Sequence, residues 1–186
     1  MKKIIALSLC LISIAVFCVG CGYQDALLNN QSTNTSTSEA TTDEAANDIK
    51  SSDFEDSFNG LCSYFVKKGY IEDKENLVTK MDASLIGAVQ GNKYTVRYEG
   101  KNVNIELYAY DLNNLSKEAE DIINSVKSDN KFQILDLPVV EAYLSDNGKY
   151  LMVYYDESID ANEPKENSTN YIHKQEVIED FKSFNK

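Results

Sequence analysis

The chain has 186 residues, 42% of them hydrophobic and 26% charged, enough apolar material for one folded domain with an appendage and too much for a wholly disordered chain. Acidic residues outnumber basic ones by 30 to 18, and the formal charge of −12 opposes unaided binding to nucleic acid or to an anionic bilayer. Arg97 is the sole arginine, which also disfavours bidentate phosphate clamping, a task that lysine performs less well as a point charge. The abundance of Lys and Asn over Arg is a codon bias expected of an AT-rich, low-GC bacterial genome.

The chain opens on an address. Lys2 and Lys3 form a positive n-region, and Ile4 to Val19 is apolar apart from Ser8 and Ser13, the layout of a secretory signal peptide. Cys18-Val19-Gly20-Cys21 follows and resembles the bacterial lipobox, in which a small residue precedes the cysteine that is diacylated before cleavage. Cys18 stands where the lipobox usually has Leu, whereas Gly20 meets the small-residue requirement that Phe17, ahead of Cys18, does not. The N-terminus is thus similar to that of the small surface lipoproteins of low-GC Gram-positive bacteria. That resemblance implies cleavage between Gly20 and Cys21, a diacylglyceryl group on Cys21 seated in the lipid bilayer, and a location on the outer face of the cytoplasmic membrane. Two acyl chains, at about 0.8 kcal/mol per buried methylene, hold durably. Loss of Lys2 and Lys3 leaves 16 basic residues against 30 acidic ones, a charge of −14. Of the four cysteines, Cys10 and Cys18 leave with the signal and Cys21 is acylated, so Cys62 has no intramolecular disulfide partner.

Residues 22–52 are dominated by Ser, Thr, Asn, Ala and acids, too poor in large apolar side chains to offset the entropy of ordering. Together with Cys21 they are read as a tether, whose flexible-coil span is about 30 Å. A single extracytoplasmic domain is expected over residues 53–186.

Within that domain Phe54, Phe58, Leu61, Cys62, Phe65 and Val66 recur at helical spacing, with Ser52 and Glu55 placed as a capping box and Gly69 as the stop. Cys62 falls on the apolar stripe and is read as an inert buried thiol. Residues 74–81 suggest a second short helix. Tyr94 to Glu99 and Asn102 to Tyr110 read as a hairpin, its second strand alternating Val103, Ile105, Leu107 and Ala109 with Asn104, Glu106, Tyr108 and Tyr110. This alternation implies a sheet covered on one side only. Ser116 caps a helix with the stripe Ala119, Ile122, Ile123 and Val126. Phe132 to Leu135 adds a short strand, and a second hairpin joins Val139 to Leu144 with Lys149 to Tyr155 across Asp146-Asn147-Gly148. An acidic loop from Asp156 to Asn170 leads to a last helix bearing Ile172, Val177, Ile178, Phe181 and Phe184. The fold class expected is α+β: an antiparallel sheet of about four or five strands, with helices mainly on one face.

No catalytic set is legible. Gly87 to Lys93 lacks the glycine spacing and the Ser/Thr of a phosphate loop, and the lone His173 has neither a GxSxG elbow nor a Cys-His signature for company, so it reads as an exposed or capping residue. Asp156, Ser158, Asp160 and Asn162 alternate as calcium ligands do, but Ala161 replaces the turn glycine and Asn167 the closing Glu, leaving a solvated acidic loop as the reading. No Cys/His cluster offers a zinc site and no cofactor is implied. Twelve tyrosines and no tryptophan make Tyr108 and Tyr110 a candidate binding face for a surface protein, peptide or glycan. The functional expectation is a membrane-anchored binding or interaction module; the alternatives are a hydrolase acting on the cell wall and an accessory subunit of a transport or secretion complex.

Overall fold

The computed structural model describes residues 49–186. Gly20, Cys21 and nearly all of the tether lie outside the described residues.

Helix α1 runs from Phe58 to Lys67, with Ser57 as its cap; the Ser57 hydroxyl accepts from Gly60 N–H at 3.0 Å. It begins later than the Ser52/Glu55 capping box implies. The reason is Gly60: a Cβ there would lie 1.9 Å from the Glu55 carbonyl oxygen, so residues 55–57 fold across the helix start instead of continuing it. Residues 74–81 form no helix. A single 3-10 turn, Glu75–Leu77, leads into strand β1, Val78–Lys80, whose β-branched Val78 and Thr79 pair with Tyr94 and Lys93.

Strands β2 (Gln90–Tyr98) and β3 (Lys101–Ala109) form the first hairpin, closed by Glu99 and Gly100 at φ 47° and 75°. Both are left-handed, the geometry that matches a two-residue turn to the twist of the strands. Helix α2 (Lys117–Asp129) follows, and Ser116 caps it as its sequence indicates, accepting from Ala119 N–H at 3.2 Å. Next come β4 (Lys131–Phe132), β5 (Val140–Glu141), β6 (Tyr143–Leu144) and β7 (Tyr150–Asp156). Helix α3 (Thr169–Lys182) closes the chain.

The fold is α+β: an antiparallel five-stranded sheet ordered β1-β2-β3-β7-β6, and a two-stranded sheet of β4 and β5. The expected Val139–Leu144 arm is split. Ala142, fully buried against the α2 layer, donates its N–H to Asn130 O at 2.9 Å, and β5 pairs with β4 instead of extending the β6–β7 ladder.

Both faces of the sheet are covered, in contrast to the one-sided sheet that the alternation suggests. On one face Ile105, Leu107, Tyr150 and Met152 pack with Leu61 and Phe65 of α1 and with Phe181 and Phe184 at the end of the chain. On the other, Tyr108, Tyr110 and Leu151 pack beneath Ala119, Ile123 and Val126 of α2. Two of the three α-helices therefore share one face. Complete burial of each such large side chain contributes about 1.5–3 kcal/mol. Among the described residues no helix is long and apolar enough to cross a membrane.

Gly91 of β2 stands opposite Tyr108, and a Cβ on it would come within 2.6 Å of the Tyr108 ring. Because that ring is itself buried, it has nowhere to move. Gly91→Val is expected to lower stability by about 1–3 kcal/mol in urea unfolding, as overpacking does, and to lower it by less when Tyr108 is already Ala.

Candidate functional site

Tyr108 and Tyr110 are 6% and 2% exposed, so the aromatic face expected of them is closed by the α2 layer. Tyr108 donates to Glu106 at 2.9 Å, and burial pushes both phenols well above their ordinary pKa. These two rings are core.

Cys62 is half-buried beside a cleft of about 480 Å³. Its Sγ accepts from the Tyr94 hydroxyl at 3.2 Å. Burial raises the thiol, Tyr94 only partly opposing it, so the sulfur stays protonated and unreactive at neutral pH. His173 is no exposed residue: its ring stacks flat on Tyr98, with centroids 3.8 Å apart and planes within 5°, and meets Tyr70 edge-on. Burial lowers its pKa against the opposing pull of Glu176 and Asp156. Gly87 to Lys93 holds the end of a 3-10 turn and the start of β2, with no phosphate cradle.

In the acidic loop Asp156 is 3% exposed, and its carboxylate is already engaged: Oδ1 accepts from Ser158 N–H and Oγ at 2.8 and 2.6 Å, and Oδ2 from Asn170 at 2.8 Å. These bonds make Asp156 the clamp that starts the loop, where the sequence suggested only solvated acids. The exposed Ile172 does not belong to the core stripe.

The site with binding character lies elsewhere, where β6 ends beside β7. A cleft of about 480 Å³ opens there between the end of β7, β5, α3 and the loop after Asp156. Its lining includes Tyr154, Tyr155 and Tyr171, the apolar Val139, Ile159 and Pro164, and the charged pair Lys174 and Glu141. Val139 and Tyr155 are each 58% exposed, and Leu137, two residues before Val139, is 57% exposed. Large apolar groups left open beside a concavity are a mark of ligand or protein contact. Tyr154 is 4% exposed, and its buried hydroxyl has no hydrogen-bond partner.

Lys174 occupies a position on the buried stripe of α3 with Val177, Ile178 and Phe181. Its ammonium lies 2.8 Å from Glu141 Oε2, and the Tyr143 hydroxyl donates to the other oxygen of the same carboxylate. Burial alone would raise the Glu141 carboxyl, but the bonds from Lys174 and Tyr143 outweigh it and hold its pKa below the ordinary value. Glu141 is thus a permanent anion at neutral pH, fit to orient a ligand and unsuited to donate a proton as a glycosidase acid does. Among the described residues no cluster of metal-ligating side chains accompanies it.

Sequence reasoning missed this cleft. One signal was available: a lysine at an apolar-stripe position of the last helix calls for an acidic partner within reach. Comparison with family models, with curated proteins and with solved structures found no match.

Glu141→Ala leaves a lysine whose side chain is 11% exposed without its anion. It is expected to lower stability by about 1–3 kcal/mol, more than Lys174→Met, as measured by urea unfolding. The single histidine gives a second check. Its folded pKa lies below its unfolded value of about 6.5, so above pH 6.5 the stability linked to it is fully present. It is lost as pH falls through the folded pKa, because the unfolded chain then binds the extra proton. An NMR titration of the His173 ring should show a midpoint below 6.5, and replacing His173 by Phe should flatten stability against pH just below that value.

Proposed function

We propose that this protein is a membrane-anchored extracytoplasmic binding module, held by diacylglyceryl-Cys21 on the outer face of a bacterial cytoplasmic membrane, and that its ligand site is the cleft beside β7. The address rests on the resemblance of Cys18-Val19-Gly20-Cys21 to a lipobox behind an apolar leader. The observation that carries the binding role is the cleft itself: tyrosine rings, exposed aliphatic groups and one oriented ion pair converge on it. A durable lipid anchor and a tether of about 30 Å confine such a module to a thin layer, so weak binding to a neighbouring surface molecule is amplified by effective concentration.

The test is site-specific photo-cross-linking in the source cells. A benzophenone amino acid replacing Tyr155, on the cleft, is expected to yield a discrete adduct in the membrane fraction. The same probe replacing Leu85, 63% exposed but outside the cleft lining, is expected to yield none. Cys21→Ala should release the protein from membranes and remove the adduct. Equal labelling at both positions, or none at Tyr155, contradicts the assigned site, and membrane retention of Cys21→Ala contradicts the anchor.

A further inference from the structure

The side chains that line the cleft narrow the ligand class. Those with charge are Lys131 and Lys174 against Glu141 and Asp156, two of each sign. They cancel, so the site favours neither an anion nor a cation. The Asp156 carboxylate is already held by Ser158 and Asn170, whereas Glu141 has capacity to spare. One of its oxygens accepts from Lys174 and the other from Tyr143, and its side chain is still 45% exposed. An ionised carboxylate accepts up to about four bonds and donates none, so a ligand that meets it must bring donors. With the charges balanced, those donors belong to a neutral group.

Tyr155, 58% exposed, and the half-buried Tyr171 add ring surface, while Asn162 and Gln175 add exposed amides that both donate and accept. A sugar ring fits this set: its C–H face lies against an aromatic ring, and its hydroxyls, neutral donors and acceptors alike, meet the carboxylate and the amides. Position adds a second constraint. The chain enters the domain beside the end of α3, where Ser51 Oγ donates to Ser183 O at 3.4 Å, whereas the cleft takes Tyr171 and Lys174 from the first turns of that helix. At 1.5 Å per residue Tyr171 and Ser183 lie about 18 Å apart along the axis, so the cleft is at the end of the domain remote from its attachment.

We propose that the cleft binds a neutral sugar chain of several residues, carried by a component of the same membrane, with one ring against Tyr155. This rests on the cleft being the ligand site. A lone headgroup sugar at the bilayer surface fits less well, because reaching it turns an acidic domain over onto the membrane. A chain that extends from the membrane meets the cleft without that cost.

The test has two arms. In the first, the full-length lipidated protein, in a detergent without a sugar headgroup, is passed over immobilised oligosaccharides: glucose, galactose and N-acetylglucosamine chains, and their charged counterparts built of uronic acid or glucosamine. Neutral chains are expected to be retained above charged ones. Tyr155→Ala should lower that affinity about fivefold or more, Tyr155→Phe, which keeps the ring, about twofold or less, and Leu85→Ala not at all. In the second arm, the adduct formed in the source cells by benzophenone at position 155 is oxidised with periodate, which cleaves vicinal diols, and treated with a hydrazide label. The adduct should take the label and the uncross-linked protein should not. The mass it has gained, a lipid's or a protein's, identifies the carrier.

A discrete adduct that takes no hydrazide overturns the sugar and leaves the cleft as the site of another ligand, a peptide among them. Charged chains retained above neutral ones overturn the neutral class. Retention indifferent to Tyr155→Ala places the sugar outside the cleft and overturns the proposal, and the absence of any adduct at position 155 overturns the cleft assignment itself.

Discussion

The pairing of β3 with β7 is the constraint on which the other elements depend. Seven residue pairs, from Val103 opposite Asp156 to Ala109 opposite Tyr150, join the two strands at the centre of the sheet. Side chains on both faces of this pair are buried, so a slip of one residue would exchange the two cores. Ile105 and Leu107 would move from the α1/α3 layer to the α2 layer, and Tyr108 the other way. The register also fixes the parity of every backbone group on β7, including those that reach its outer edge.

The proposed ligand site follows from a mismatch in length. β7 has seven residues and its outer neighbour β6 has two, because Ala142 is drawn beneath α2 and β5 pairs elsewhere. The gap lies where α3 begins and where the Asp156-anchored loop crosses, so a strand end, a half-buried ion pair and that loop adjoin one opening. The carboxylate of Asp156 ties that loop to Ser158 and Asn170 and holds one side of the cleft in place. Lys174 and Glu141 do the same across the other side, linking α3 to β5.

Much of this architecture was legible in the residues. The α2 cap at Ser116, its stripe, both hairpins and the mixed class follow from capping chemistry, periodicity and turn residues acting locally. What was illegible depended on distant contacts. The start of α1 is set by the Glu55 carbonyl lying against Gly60, and β5 is separated from β6 by a hydrogen bond to Asn130. Tyr108 and Tyr110 were misplaced because Asn104 and Glu106 make their face of β3 look polar. α2 covers only one end of that face: Asn104 and Glu106 remain partly exposed, whereas Tyr108 and Tyr110 are sealed. The cleft escaped notice because its residues come from five separated stretches of chain, and only Lys174, a charge on an apolar stripe, pointed to it.

Native-state amide exchange along β7 tests the central claim, that the second half of this strand is an unpaired edge. The Val153 and Tyr155 amides, turned toward β3, should exchange only on global unfolding, and so should Met152, opposite Tyr143. Tyr154 and Asp156 should exchange faster by local opening, giving alternating protection at the end of the strand. Uniformly slow exchange from Met152 through Asp156 would mean that the ladder continues past β6, and would contradict an edge without a ladder partner there.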